Sequence, residues 1–200
     1  MSDYPGKRLL DVVGASAGAA LFAPVMAAIA TATWLEDGPP LLFLQRRVGR
    51  DRAPFTTFKL RTMRAQRVTQ VGQWLRRTGL DEVPQFLNVC RGEMSLVGPR
   101  PLTANDIERL GWHSSTLDWR FAAKPGITGL SQLLAGRGAK ASRRLDRLYL
   151  ERQSLRLDVQ LLALSFAANI VGKTAVREWI RQARPRVAPS RAAGSPPLKA

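Results

Sequence analysis

The feature that most constrains this chain is an uncharged run of 24 residues, from 12 to 35, with the sequence VVGASAGAALFAPVMAAIATATWL. As a single helix it would extend ~36 Å, which is enough to cross the ~30 Å hydrocarbon core of a bilayer. The apolar stretch of a signal peptide is shorter, and a buried helix of a soluble protein is usually shorter and less uniformly apolar. The run therefore predicts a membrane segment near the N-terminus.

Positive side chains lie on both sides of this run, which is unfavourable for a single crossing because Lys and Arg prefer the cytoplasmic side. They are Lys7, Arg8, Arg46, Arg47, Arg50 and Arg52. Pro24 lies near the middle of the run, where a proline kinks a helix. Each arm would then have roughly 12 residues, too few to span alone. We therefore expect residues 1–38 to form a re-entrant helix-break-helix that enters and leaves by one face, which makes the protein monotopic.

The charge balance predicts an anionic partner. Lys and Arg number 31 against 15 Asp and Glu, so the net charge is +16. Phosphorylated metabolites and anionic membranes fit this balance, whereas the chain has no recognisable DNA-binding pattern and only two Tyr for stacking, so we expect no nucleic acid. A single His and a single Cys make zinc unfavourable, so any metal would be a hard ion on carboxylates.

Beyond the membrane segment, the pattern predicts an α+β fold in which helices dominate. LLFLQRRVG and APFTTFKLRTM read as two strands of a β-hairpin joined near residues 49–52. Residues 64–77 and 140–157 have helical character, and the apolar run 159–171 is too short to span a membrane but fits a helix at its interface. We place a mainly helical domain at 39–182 and a disordered basic tail at 183–200, which is rich in Pro, Arg, Ala and Ser.

Two adjacent acids in TGLDEVPQFLNV, Asp81 and Glu82, stand out in a basic chain. Asp81 is a natural helix N-cap with Pro84 in the first turn, and both acids would complement the helix dipole, so a capping role is one interpretation. The other is catalytic. A carboxylate kept ionised at a helix N-terminus is a competent nucleophile, and a neighbouring Glu can bind a Mg²⁺ that shares a phosphate substrate.

Several cations and amides could bind the phosphates of such a substrate, although solvated surface charge is the usual fate of Arg. Lys59 and Arg61 share one face of a strand, and prolines stiffen the backbone on both sides of Arg100. The turn-rich segment PGITGLSQLLAGRG could contact a nucleotide or phosphate, or it could contain only turns. The candidate phosphate-binding residues are Lys59, Arg61, Arg76, Arg100, Gln132 and Arg137.

The run GLDEVPQFLNVCRGEMSLVGPRPL resembles the signature core of the bacterial sugar transferases, the small monotopic phosphoglycosyl transferases. KRLLD, the apolar segment with Pro24, QRRVG, FTTFKLRTM and KPGITGLSQ resemble other blocks of that family in the same order. The resemblance covers about residues 5–172. Several blocks in order are more specific than any one alone.

The resemblance implies transfer of a phosphosugar from a UDP-sugar to polyprenyl (undecaprenyl) phosphate, with release of UMP and initiation of exopolysaccharide, capsule, O-antigen or glycoprotein glycan synthesis. It implies that Asp81 is the nucleophile that carries the phosphosugar covalently and that Glu82 helps to hold Mg²⁺. Asp146, in RLDRLYL, resembles a further acidic position, expected at the metal.

The resemblance also implies a location and partners. The catalytic domain would lie on the cytoplasmic face of the bacterial inner membrane, in contact with its lipids, and downstream glycosyltransferases would be further partners. An alternative from another class is a membrane-anchored basic protein that binds acidic lipids or nucleic acid without catalysis. Such a protein would show a steep salt dependence and no turnover.

Overall fold

A computed structural model describes residues 3–134 and 138–183 of the chain. In these ranges the protein is mainly helical, with short strands and one long apolar helix at its N-terminus. The helices are α1 (Lys7–Asp37), α2 (Gln70–Thr78), α3 (Phe86–Arg91), α4 (Ala104–Leu110), α5 (Asp118–Phe121), α6 (Leu130–Leu134), α7 (Ala139–Arg152), α8 (Leu155–Val171) and α9 (Lys173–Ala183). The strands are β1 (Leu42–Val48), β2 (Pro54–Leu60), β3 (Met63–Arg64), β4 (Arg67–Val68), β5 (Ser95–Val97) and β6 (Gly126–Thr128).

The long helix α1 contains the whole uncharged run. It has 31 residues, its most apolar window has a mean hydropathy of 1.9, and only 11% of that window is buried. By length and composition alone, α1 is therefore able to cross a membrane. Pro24 lies inside the helix, which continues on both sides of it, so the predicted break does not divide α1 into two elements. The re-entrant path in a membrane stays a prediction.

Both ends of α1 pack against the same domain. At the N-terminal end, the Lys7 ammonium donates to Asp158 on α8 at 2.6 Å. At the C-terminal end, the Glu36 carboxylate accepts from the first backbone N–H groups of α2, at 2.8 Å from Gln70. Between them, a Cβ on Gly18 would lie 2.8 Å from the Phe86 ring, so this glycine lets α1 approach α3 closely. The helix thus lies along the domain over its length.

The predicted hairpin is present. Strands β1 and β2 pair antiparallel from Leu42 opposite Leu60 to Val48 opposite Pro54, and the turn between them includes residues 50–52. In this register Phe43 faces Lys59 and Arg47 faces Phe55. Because opposite residues share a face and side chains alternate along a strand, Arg47 and Lys59 lie on the same face of the hairpin.

Two of the expected helices have different boundaries. The segment expected to be helical over 64–77 begins with the short β3–β4 ladder, and α2 starts only after the Thr69 N-cap, whose side chain accepts from the N–H of Gly72. The helix expected over 140–157 ends as α7 at Arg152, because the Ser154 side chain caps a new helix, α8. Nearly all of the predicted tail, residues 184–200, lies outside the described residues.

A parallel pair of short strands, β5 and β6, lies in the core and positions the loop that follows β5. A Cβ on Gly126 would lie 2.1 Å from the backbone nitrogen of Gly98, so only a glycine permits this approach. The main apolar cluster surrounds the two strands and includes Val89, Met94 and Tyr149. A separate cluster joins Ile29 of α1 to Leu60 and Leu75, which ties the far end of α1 to the hairpin and α2.

Candidate functional site

An open cavity of ≈ 580 Å³ lies between the hairpin, α2, the loop after β5, and α8. Its polar wall carries both acids and a set of cations, namely Arg47, Lys59, Arg76, Arg77, Asp81, Glu82 and Arg100. The apolar part of its lining, called the apolar wall below, includes Phe22, Phe86, Leu96, Ile127, Leu162 and Phe166. Since Phe22 belongs to α1, the cavity extends from the acids to the long apolar helix.

The acidic pair lies in a 3₁₀ segment, Leu80–Gln85, between α2 and α3. The predicted N-cap role of Asp81 is wrong. Gly79, with a φ of 73°, precedes the segment, and α3 begins only at Phe86. Gly79 adopts the left-handed conformation that ends α2, and its carbonyl accepts from the N–H of Glu82 at 3.2 Å. The sharp turn presents both carboxylates to the cavity.

The electrostatics of Asp81 also differ from the expectation that a helix N-terminus favours its ionised form. Burial raises the pKa of Asp81 above its ordinary 3.8, and the adjacent negative charge of Glu82 adds to the rise. Lys59, the backbone N–H of Asp81 and Arg76 act in the opposite direction and favour the carboxylate. The surrounding cations, rather than a helix dipole, therefore support the ionised form.

Lys59 and Glu82 form a direct pair inside the cavity. The Lys59 ammonium donates to a Glu82 carboxylate oxygen at 2.6 Å, and the two side chains remain 19% and 36% exposed. Since both groups stay accessible, a phosphate could replace Glu82 at the ammonium, and a cation could replace Lys59 at the carboxylate.

Arg100 extends from a loop whose backbone is held at three successive carbonyls. The Pro99 carbonyl accepts from the Gly126 N–H at 2.9 Å, and the Arg100 carbonyl accepts from Arg120 at 2.8 Å. The Pro101 carbonyl accepts from Arg47 at 2.9 Å. The sequence predicted stiffness from the prolines alone, whereas these hydrogen bonds also fix the loop and leave the Arg100 side chain exposed at the cavity.

Two other predicted residues line the cavity with part of their polar groups already engaged. The Arg76 Nε donates to Thr62 Oγ1 at 2.9 Å. The Gln132 side-chain amide is directed at backbone carbonyls, at 3.3 Å from that of Gly126. Gln132 therefore both lines the cavity and hydrogen-bonds to the backbone of the β5–β6 pair.

Two predicted site residues are not in the cavity wall. Arg61 turns to the end of α1, where it donates to the Gly38 carbonyl at 2.7 Å. Asp146 is 2% exposed and accepts from Arg120 Nε at 2.8 Å, so in this geometry it pairs with Arg120 and does not line the cavity with Glu82. Arg137 lies outside the described residues. Pro24 is in α1, two positions beyond the cavity-lining Phe22.

Sequence reasoning missed Arg47 and Arg77, which both line the cavity. Arg77 directly follows Arg76 in sequence, and that adjacency was the available signal for it. Arg47 shares the hairpin face of Lys59, but the two strands fix that face only once the turn length and register are known. The usable signal was the alternation along QRRVG, which places Arg46 and Arg47 on opposite faces.

An acidic pair surrounded by cations, beside an apolar wall, defines a site for an anionic ligand with an apolar portion. The sequence model of the family named bacterial sugar transferase matches residues 2–172. The chain therefore belongs to the bacterial sugar transferase family.

Curated relatives agree with this assignment. A UDP-glucose:undecaprenyl-phosphate glucose-1-phosphate transferase of Caulobacter vibrioides is 41% identical over 174 residues, which cover 78% of this chain and 62% of that protein. An Escherichia coli protein of the same name is 36% identical over 84% of this chain and 41% of its own length. An Aeromonas hydrophila UDP-N-acetylgalactosamine-undecaprenyl-phosphate N-acetylgalactosaminephosphotransferase is 35% identical, over 83% and 44%. The chain thus spans about 40–60% of the length of these relatives.

Proposed function

We propose that this protein transfers a sugar-1-phosphate from a UDP-sugar to polyprenyl phosphate through a covalent intermediate on Asp81. The observation that carries the proposal is the cavity itself, which is lined by two adjacent acids, several cations and a set of apolar side chains. Nucleotide and lipid phosphates match the cations, and an isoprenoid chain matches the apolar wall that reaches α1. The names of the relatives supply the same pair of substrate classes.

In the first step, a carboxylate oxygen of Asp81 attacks the phosphorus linked to the sugar. A bond forms between that oxygen and the phosphorus, and the bond from the phosphorus to the bridging oxygen breaks. The bridging oxygen leaves with both electrons on UMP. Arg76 and Lys59 act directly on the charge of Asp81, and they are placed to compensate the negative charge of the attacked phosphate.

In the second step, a phosphate oxygen of polyprenyl phosphate attacks the same phosphorus. The bond to Asp81 breaks, the carboxylate leaves with its electrons, and the free aspartate is restored. The product is a polyprenyl diphosphate sugar, which would start a surface glycan. The second step needs the lipid phosphate next to Asp81, and the apolar wall from Phe86 to Phe22 offers its chain a path towards α1.

The carboxylates present fit Mg²⁺ only as an ion shared with substrate. The described residues contain no cluster of three or more His, Cys, Asp or Glu side chains that could enclose a metal. Mg²⁺ commonly binds one or two carboxylates together with substrate phosphates, so Glu82 and Asp81 would hold it. Bound there, the ion would neutralise charge on the transferred phosphate.

We further propose that the protein is monotopic, with α1 in the cytoplasmic leaflet of the bacterial inner membrane. The contacts of α1 support this proposal, because Lys7 at one end and Glu36 at the other both bond to the same domain. A helix that crossed the bilayer would hold its two ends on opposite sides of a ~30 Å hydrocarbon layer. Exposed apolar residues such as Leu21 and Trp34 are available to lipid.

The test is a UMP-release assay with polyprenyl phosphate and a panel of UDP-sugars. The wild-type protein is expected to release UMP with at least one UDP-sugar, and Asp81→Asn to reduce turnover by at least about a thousandfold while the protein remains folded. The exposed acid Glu151→Gln is the matched control, expected to behave as wild type. No UMP release with any donor would favour a non-catalytic binding protein, and wild-type turnover by Asp81→Asn would remove its role as nucleophile.

A further inference from the structure

The cations that line the cavity differ in their contacts. The positive charges of Lys59 and Arg76 lower the pKa of Asp81 and so favour its ionised form. Arg47 interacts instead with Arg100, Asp106 and Glu82. Lys59 donates to Glu82 at 2.6 Å, whereas Arg47 donates to the Pro101 carbonyl, directly after Arg100. A donor with two linked phosphates would need cations at both places.

Arg47 is held in the cavity wall with its hydrogen-bonding capacity only partly used. One terminal nitrogen donates to the Pro101 carbonyl at 2.9 Å, and the other donates to Gln45. Its Nε is buried and has no hydrogen-bond partner. The Asp106 carboxylate lies 3.7 Å away, close enough for charge compensation but too far for a hydrogen bond.

This arrangement is unfavourable without an anion. The Arg47 side chain is 11% exposed, and burial and the positive charge of Arg100 lower its pKa more than the carboxylates of Asp106 and Glu82 raise it. A buried N–H without a partner and a neighbouring like charge both disfavour the free state. A phosphate between Arg47 and Arg100 would relieve the repulsion and supply acceptors to both guanidinium groups.

We propose that Arg47 binds phosphate in this cavity and that, with Arg100, it holds the nucleotide-side phosphate, which departs with UMP. The proposal rests on the proposed function. That phosphate gains negative charge when the bond to the sugar-linked phosphorus breaks. Fixed cations at the leaving phosphate therefore stabilise the transition state more than the ground state.

The test compares Arg47→Gln and Arg47→Lys with Arg46→Gln, whose exposed side chain is on the opposite face of β1. Purified proteins are titrated calorimetrically with UMP and with UDP. We expect Arg47→Gln to bind both nucleotides about tenfold more weakly, since one charge-assisted contact is lost. Arg47→Lys should recover part of the loss, and Arg46→Gln should bind within about twofold of wild type.

A second measurement separates binding from support of the Pro101 loop. A residue that only supports the loop would act through Arg100, so Arg47→Gln would not reduce the UMP-induced rise in Tm any further in a protein that already carries Arg100→Gln. We expect Arg47→Gln to reduce that rise both alone and in the Arg100→Gln background, and kcat to fall together with the UMP affinity.

Each failure has its own meaning. If the wild-type protein bound neither nucleotide, the proposed function itself would fail. If wild type bound both and Arg47→Gln bound UMP equally well, only the assignment of Arg47 would be overturned. Loss of UDP affinity with normal UMP affinity would also overturn it, because Arg47 would then hold the sugar-linked phosphate.

Discussion

Two lysine–carboxylate pairs in this protein have the same length and very different surroundings. Lys7 and Asp158 are joined at 2.6 Å, and so are Lys59 and Glu82. The first pair is almost completely buried, with side chains 5% and 0% exposed, whereas the second is 19% and 36% exposed. Distance alone therefore does not separate a structural ion pair from an exchangeable one.

The two pairs differ in how many further hydrogen bonds their charged groups make. The Lys7 ammonium also donates to the Val97 carbonyl and to the Tyr149 hydroxyl, and Asp158 accepts from Tyr4 and Tyr149. Burial and the charge of Asp158 raise the pKa of both tyrosines, which keeps them as donors. This saturated network joins the start of α1 to α8, whereas the Lys59–Glu82 pair faces an open cavity.

Breaking the buried Lys7–Asp158 pair, called the closed pair below, should have the largest effect on stability. Lys7→Met leaves the Asp158 carboxylate buried without its countercharge and is expected to lower the free energy of unfolding by about 3–5 kcal/mol. The measurement is unfolding in detergent or nanodiscs, with Arg156→Met, an exposed change on α8, as the control. A stability equal to that of the control would show that the network does not hold α1 to the domain.

Breaking the accessible Lys59–Glu82 pair should instead affect activity. Lys59→Met is expected to reduce kcat/KM about a hundredfold, since a cation at the reacting phosphate is lost, while stability changes by less than about 1 kcal/mol. Arg67→Gln, which is exposed on β4 outside the cavity, is the control for charge alone. A stability loss in Lys59→Met comparable with that of Lys7→Met would remove the distinction between the two pairs.

A third pair, Arg120 with Asp146, resembles the closed one, since its side chains are only 4% and 2% exposed. Arg120 also donates to the Arg100 carbonyl, so Asp146 acts on the cavity through Arg120. We expect Asp146→Asn to lower kcat/KM of the folded protein about tenfold without moving the midpoint of a Mg²⁺ titration. Glu82→Gln is the comparison, and it should move that midpoint.

If Asp146→Asn moved the Mg²⁺ midpoint as far as Glu82→Gln does, Asp146 would be a metal ligand after all. Recovery of activity in Asp146→Glu, which keeps the charge next to Arg120, would support the positioning role.

The smallest expected effect is a shift in pH dependence. Glu82 raises the pKa of Asp81, so Glu82→Gln should lower it, whereas Arg76 lowers that pKa, so Arg76→Gln should raise it. Because the attacking form of Asp81 is ionised, the acid limb of kcat/KM should move to lower pH in Glu82→Gln and to higher pH in Arg76→Gln. We expect shifts of less than about one pH unit. If the acid limb moved in the same direction in Glu82→Gln and in Arg76→Gln, that limb could not be assigned to Asp81.

The contrast between the pairs also explains what the sequence could predict. The hairpin and the closeness of Arg76, Asp81 and Glu82 follow from short-range signals such as alternation, turn residues and adjacent charges, whereas the place of Lys59 beside the acids was implied by the family resemblance. The closed network does not, because Lys7 and Asp158 are 151 positions apart and each is an ordinary charged residue in sequence.

The errors have the same cause. The resemblance implied a metal site for Asp146, and nothing local in the sequence indicates that Arg120, 26 positions earlier, pairs with it. Arg47 was missed because its face depends on the register of the hairpin, and Arg61 was included although it lies beyond the end of β2. Asp81 was expected to cap a helix because the left-handed turn at Gly79 is a backbone feature that a capping pattern does not reveal.

The most direct test of the central claim is mass spectrometry of the intact protein, rapidly quenched after mixing with a UDP-sugar in the absence of polyprenyl phosphate. We expect a mass increase of one sugar phosphate, located on the peptide that contains Asp81, absent from Asp81→Asn and removed when polyprenyl phosphate is added. Accumulation of the lipid product without any such adduct would contradict the covalent mechanism, because the sugar phosphate would then pass directly from nucleotide to lipid.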